Sequence, residues 1–276
     1  QVLTDRPATS MSPIWIPSRQ TASFILVRAV RRDVSAPRRP LRELFWLCLG
    51  SALVSGLAGT LAPVSAVAAE PVLLFDGKTF EGWDGDTQKT WRIEEGVIVG
   101  GSLEQTVPRN EFLSSRKEYS DFELQLEYKL VGTEGFINGG VQIRSKRIPN
   151  HHEMTGYQAD LGMGYDGALY DESRRNKMLA QPSKELLEKI LKPGDWNDYR
   201  IRCEGKRIRL WLNGTLTVDF TETDAAIPLQ GVLALQIHGG CKAVVRFRKI
   251  RLTDLTVAVE AGAGGKEGAK EKDSPK

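Results

Sequence analysis

Between Asp121 and Leu130 every second residue is apolar. Phe122, Leu124, Leu126, Tyr128 and Leu130 alternate with Asp121, Glu123, Gln125, Glu127 and Lys129. That period of two belongs to a strand with one buried and one wet face. It returns in Tyr199, Ile201 and Cys203 against Arg200, Arg202 and Glu204, and again in Ile208, Leu210 and Leu212 against Arg207, Arg209 and Trp211. Turn residues punctuate the runs: Glu94-Glu95-Gly96 joins Trp91–Ile93 to Val97–Val99, and Asn213-Gly214 leads into Leu216–Phe220, both readable as hairpins. Gly231–His238 and Val244–Leu255 close the series. Ser183–Leu191 alone has helical spacing, with Ser183 as its N-cap and Lys192-Pro193-Gly194 as its stop. About a dozen short strands and one short helix predict an all-β fold, an antiparallel two-sheet jelly-roll sandwich.

The two ends are different in kind. Residues 1–43 hold eight arginines against Asp5, Asp33 and Glu43, with no core periodicity, and read as a disordered or spurious leader. Residues 44–69 carry no charge, follow Arg38, Arg39 and Arg42, and end on Ala66-Val67-Ala68, the pattern of a secretory signal with its cleavage site. This predicts a periplasmic or secreted protein without a membrane span after processing. A retained N-terminal anchor is the alternative, since the run is long enough to span a bilayer. From 258 to 276 the chain is Gly, Ala, Lys and Glu, a disordered tail. One sandwich domain over 70–257 remains. The arginine-rich leader accounts for the whole-chain net charge of +3, so the domain itself has no basic stripe and no nucleic acid is expected as a partner. Cys203 and Cys241 lie in strand-like runs, either as a disulfide or as two separate buried thiols.

The stretch from Asn138 to Arg175 differs from the other strands in what its polar face carries. Val141 and Ile143 alternate with Gln142 and Arg144, and Tyr157, Ala159 and Leu161 with Gln158 and Asp160. Carboxamides, a guanidinium and a carboxylate suit hydroxyl-rich ligands. Glycines at 139, 140, 156, 162, 164 and 167 leave room for close approach. This is the expected floor of a binding cleft.

Seven motifs in order, L-F-D-G-K-T-F-E-G-W, G-G-V-Q-I-R-S, G-Y-Q-A-D-L-G, G-A-L-Y-D-E-S-R-R-N, D-W-N-D-Y-R-I, L-N-G and the closing L-Q-I-H-G-G with V-R-F-R-K-I-R-L, span Pro71 to Leu255. Together they resemble the 3-keto-disaccharide hydrolase family. The resemblance implies a concanavalin A-like sandwich of the lectin and glucanase type, export, and a 3-keto-glycoside or oligosaccharide bound on the concave sheet. It also implies cleavage of a glycosidic bond by base-initiated elimination or hydrolysis. A ketone at carbon 3 acidifies the hydrogen at carbon 2, so such an enzyme needs a base, donors for the enolate oxygen and an acid for the leaving oxygen. The chain departs from the usual G-Y-E and N-S-G of that family, with Gly156-Tyr157-Gln158 and Asn138-Gly139-Gly140.

Asp160, Glu172 and His238 are the candidate acid and base groups. Gln142, Arg144, Gln158, Tyr170, Arg175 and Gln236 are the candidate sugar-binding groups, chosen because strand alternation sets most of them on one face. Trp91 and Trp196 read as core, and Trp211 as the polar face of its strand. His151-His152-Glu153 is no metal site on this reading, because neighbours on an extended chain point apart. The chain contains no Cys/His metal spacing and no dinucleotide or phosphate-binding fingerprint, so neither metal nor cofactor is expected. The alternative to an enzyme is a non-catalytic, lectin-like glycan-binding module using the same face.

Overall fold

A computed structural model of the chain describes residues 70–256. The leader, the signal-like run and the tail lie outside the described residues. Strands β1 (Val72–Leu73), β3 (Trp91–Glu94), β4 (Val97–Ser102), β6 (Phe122–Glu134), β11 (Asn197–Glu204), β12 (Arg207–Leu212), β13 (Thr215–Thr221) and β15 (Lys242–Asp254) form one antiparallel sheet of eight. Strands β2 (Trp83–Asp84), β5 (Glu111–Tyr119), β7 (Gly139–Arg147), β8 (Met154–Leu161), β9 (Leu169–Glu172), β10 (Lys177–Ala180) and β14 (Gly231–Ile237) form a sheet of seven, in the order β10-β9-β8-β7-β14-β5-β2. The fold is the expected two-sheet sandwich with a single helix, α1 (Lys184–Ile190), among the described residues. Ser183 Oγ accepts the Leu186 amide at its N-cap.

The alternating residues meet in the middle. Phe122, Leu124, Leu126 and Tyr128 of β6 share one core with Tyr157, Ala159 and Leu161 of β8 and Leu233, Leu235 and Ile237 of β14. Both hairpin signals are realised as turns with two successive positive φ values, Glu95-Gly96 (50° and 78°) and Asn213-Gly214 (48° and 80°). Cys203 and Cys241 are both free and buried, not a disulfide. Trp91 is core at 1 % exposure, but Trp196 is only half-buried, with the Arg248 guanidinium 3.9 Å from its ring centre. Asp195 and the start of β11 put its ring on the wet face instead.

Two irregularities in the seven-stranded sheet shape its outer face. The β7–β8 register shifts between Ile143 and Lys146, and β14 shifts between Val232 and Ala234 against both its neighbours. These are β-bulges, which rotate side chains out of the alternating pattern. Beyond its bulge, β7 bends across the sheet. Arg147 Nη2 donates to the Asp84 and Phe112 carbonyls at 2.8 and 3.3 Å, although β14 separates β7 from β5. Met154 packs on Phe112 and Ala234, and Asn110 Nδ2 donates to Glu153 Oε1 at 3.0 Å. The β7–β8 connection is thus a strap folded over the outer face of β14 and β5.

Candidate functional site

Beside the strap a cleft of about 380 Å3 opens over β8 and β9. Its floor follows from strand register. Tyr170 pairs with Gln158, Glu172 with Gly156, and Asp160 with Gly140, so Gln158, Asp160, Tyr170 and Glu172 project from one face while Tyr157, Ala159 and Leu161 point into the core. Asn138 and His238 stand at the upper rim, where His238 N–H donates to the Asn138 carbonyl at 3.0 Å. Phe136 and Tyr165, 39 % and 38 % exposed, form an aromatic wall with ring centres 6.3 Å apart, and the Phe136 ring lies edge-on to His238 at 4.8 Å. Asn110 and Met178 complete the lining.

The electrostatics set the two carboxyls apart from ordinary surface acids. Burial, with Glu172 and Asp166 adding negative charge nearby, pushes the Asp160 carboxyl up to about 7, against a hydrogen bond from Gln158 that pulls it down. Burial raises Glu172 as well, and the charge of Glu153 on the strap adds to it. Burial raises the Tyr170 phenol in turn, with the charges of Glu172 and Asp160 behind it. Asp160 Oδ1 accepts Gln158 Nε2 at 2.7 Å, and Oδ2 has no protein partner among the described residues. His238 Nδ1 lies 2.6 Å from the Gly239 carbonyl. In the neutral ring this contact puts the proton on Nδ1 and leaves Nε2 as the acceptor.

Five of the nine expected site residues therefore meet in the cleft: Asp160, Glu172, His238, Gln158 and Tyr170. Gln142 lies on the same face but is fully buried, donating to Gln158 Oε1 at 2.8 Å. Gln236 is also on this face, cross-strand from Gly140 and Phe112, and fully buried. Neither its carboxamide oxygen nor its nitrogen has a partner among the described residues.

Arg144 and Arg175 are elsewhere. The β7 bulge gives Arg144 a φ of 47° and turns its side chain through the sandwich edge. There it donates to the carbonyls of Ser120 (2.8 Å) and Gly205 (2.6 Å) and to Asp121 Oδ1 (2.9 Å), at 2 % exposure. Arg175 lies within the turn at Ser173–Asn176, whose ends have φ of 51° and 48°, and swings to the core side. It binds Asp171 and, through Nη2 at 2.7 Å, Glu222, which also accepts the Tyr157 hydroxyl at 2.5 Å. Both arginines tie the sandwich together rather than face the cleft.

Phe136, Asn138, Tyr165, Asn110 and Met178 carried no role in the sequence reading. The first four sit outside regular strands, where periodicity carries no information. His151 and His152 stack on each other at 4.4 Å, and His152 Nε2 lies 3.2 Å from Glu153. No group of three or more potential metal ligands occurs among the described residues, and no helix there is long and apolar enough to cross a membrane.

Comparison with solved structures returns sandwiches of the same build. A candidate glycosyl hydrolase from Parabacteroides distasonis superposes with a TM-score of 0.51 at 24 % identity, covering 67 % of this chain and 100 % of its own. A second from the same organism gives 0.50 at 22 %, covering 67 % and 94 %. A carbohydrate-binding module from Bacillus subtilis gives 0.49 at 17 %, covering 62 % and 95 %. The first two show the fold. No curated protein sequence matches the chain. Residues 70–253, however, match the family described as the 3-keto-alpha-glucoside-1,2-lyase-like domain, and the chain belongs to that family.

Proposed function

We propose that the cleft cleaves the glycosidic bond of a 3-keto-α-glucoside by elimination across carbons 1 and 2. The observation that carries the reading is a carboxyl held near neutrality, Asp160, beside a second raised carboxyl, Glu172, in one sugar-sized cleft. Asp160 takes the carbon-2 hydrogen, which the neighbouring ketone acidifies, and the electrons pass to the ketone oxygen. When that carbonyl re-forms, a double bond forms between carbons 1 and 2, the bond from carbon 1 to the leaving oxygen breaks, and Glu172 protonates that oxygen. Water adding to the unsaturated product gives the hydrolytic outcome.

With Arg144 and Arg175 turned away, the ketone oxygen falls to the Asn138 carboxamide, since His238 presents an acceptor nitrogen to the cleft. The Asn138 side chain is buried at the cleft wall and makes no hydrogen bond of its own among the described residues. Preorganised donors of that kind are worth about 3–4 kcal/mol each in acyl-transfer enzymes. Phe136 and Tyr165 offer flat apolar faces to the sugar or its leaving group. A glycan-binding module needs the aromatic wall and the carboxamides but not two perturbed carboxyls, so catalysis is preferred to lectin-like binding. The uncharged run at 44–69 supports export, to the periplasm or beyond, as the setting of the reaction.

The test is release of nitrophenol from an aryl 3-keto-α-glucoside, with the unoxidised glucoside as control. The proposal requires turnover of the keto sugar alone. Binding of both sugars without release of either supports the lectin reading instead.

A further inference from the structure

Behind Asp160 three buried side chains are joined by hydrogen bonds that all run one way. Ser145 Oγ donates to Gln142 Oε1 at 2.6 Å, Gln142 Nε2 to Gln158 Oε1 at 2.8 Å, and Gln158 Nε2 to Asp160 Oδ1 at 2.7 Å. All three donors are at most 2 % exposed. Ser145 Oγ also lies 3.0 and 3.3 Å from the Ile143 and Tyr157 carbonyls, but its shortest contact, Gln142 Oε1 at 2.6 Å, takes the proton and sets which end of Gln142 faces the serine. That choice fixes Gln158, and Gln158 can then offer only N–H to the carboxylate.

The sheet is cut to fit this chain. A Cβ on Gly140 would fall 2.6 Å from Gln158 Cδ, and one on Gly156, at φ 148°, would fall 2.2 Å from Ser145 Oγ. Both positions must be bare for the side chains to lie as they do. Gln142 and Gln158 are direct cross-strand partners, and the bulge that removes Arg144 from this face brings Ser145 to the end of the row.

We infer that Ser145, Gln142 and Gln158 are positioning residues: their one-way hydrogen-bond chain holds Asp160 as the ionised base and sends any proton to its cleft-side oxygen, Oδ2. The inference rests on Asp160 acting as the base. A proton on Oδ1 would require both carboxamides to flip and the Ser145 hydroxyl to leave Gln142 for the longer contact to the Ile143 carbonyl at 3.0 Å. Other ionisable groups surround Asp160. Glu172 and Tyr170 lie on β9, Asp166 and Tyr165 in the β8–β9 loop, and His238 after β14, while Tyr199 of the opposite sheet reaches the Asp160 carbonyl at 3.4 Å. Glu172 and Asp166 push proton affinity up, and within this set Gln158 is the side chain that opposes them.

The experiment is carbon-13 NMR titration of carboxyl-labelled aspartates in the full protein, with the Asp160 signal assigned by its loss in Asp160→Asn. Gln158→Met should raise the Asp160 midpoint by about one unit, the size expected for losing a hydrogen bond to a charge. Gln142→Met and Ser145→Ala, which leave Gln158 in place, should raise it by less and in the same direction. In Gln142→Met and Ser145→Ala, whose side chains do not line the cleft, the acid limb of kcat/KM should move with the midpoint while KM stays put. Ser145→Ala removes a single oxygen and, if Gln142→Met does not fold, answers alone. A midpoint that stays at the wild-type value in folded Ser145→Ala and Gln142→Met overturns the inference. The titration needs no substrate, so the two ideas separate. Shifts seen without keto-sugar turnover keep the chain and discard the base, and turnover without shifts does the reverse.

Discussion

Arg144 and Asp121 bridge the two sheets at 2.9 Å, and two carbonyls, of Ser120 and Gly205, complete the cage around the guanidinium. Asp121 also accepts the Gly205 amide at 2.9 Å, so one arginine holds the β5–β6 and β11–β12 turns to the bulge in β7. Arg144→Ala should cost about 3 kcal/mol of stability, the scale for breaking a buried pair by removing one partner. Urea unfolding measures this. KM for the keto sugar in the folded variant should be unchanged, since the side chain never reaches the cleft.

That arginine also marks where the sequence stops being informative. The alternation that places Gln158, Asp160, Tyr170 and Glu172 on one face is local, and it survives folding wherever the strand is regular. Arg144 obeys the same alternation on paper. The bulge that overrides it comes from packing remote in sequence: a Cβ on Gly231 would sit 2.5 Å from the Arg144 carbonyl carbon. Arg175 is lost for a related reason, because its partner Glu222 lies at the end of β13, far along the chain. Phe136, Tyr165 and Asn110 come from loops and reach the cleft only through the sandwich's assembly. The strap over Gln236 was not legible either, since nothing in residues 147–154 announces the fold-back.

Asp160 should make the protein less stable as pH rises. Its folded pKa, about 7, lies above its ordinary value of 3.8, so the folded state holds the proton more tightly. The resulting contribution is full below about 4 and is lost as pH climbs through about 7, a swing of up to about 4 kcal/mol. Asp160→Asn should therefore melt higher than wild type at pH 8, with the gap closing toward pH 4. Calorimetry across that range measures it.

Glu222 should act in the opposite sense. It is buried, yet the Arg175 guanidinium and the Tyr157 hydroxyl hold its carboxyl down at about 2, against an ordinary 4.5. Its contribution is present above about 4.5 and fades as pH falls toward 2. Glu222→Gln should destabilise the protein at pH 7 by about 3 kcal/mol, and the difference from wild type should shrink in acid. Acid unfolding followed by circular dichroism measures this.

Phe136→Ala should weaken substrate binding without stopping the chemistry. The ring is exposed at the rim of the cleft, and an aromatic contact of this kind is worth about 0.5–1.5 kcal/mol. Steady-state kinetics should show KM rising about threefold to tenfold, with kcat nearly unchanged.

The central claim is that Asp160 removes the hydrogen from carbon 2. The most direct measurement uses a 3-keto-α-glucoside deuterated at that carbon. The account predicts a primary isotope effect on kcat/KM and loss of the label to water, both of them with wild type and neither with Asp160→Asn. Release of the leaving group with the deuterium still on carbon 2 would contradict it.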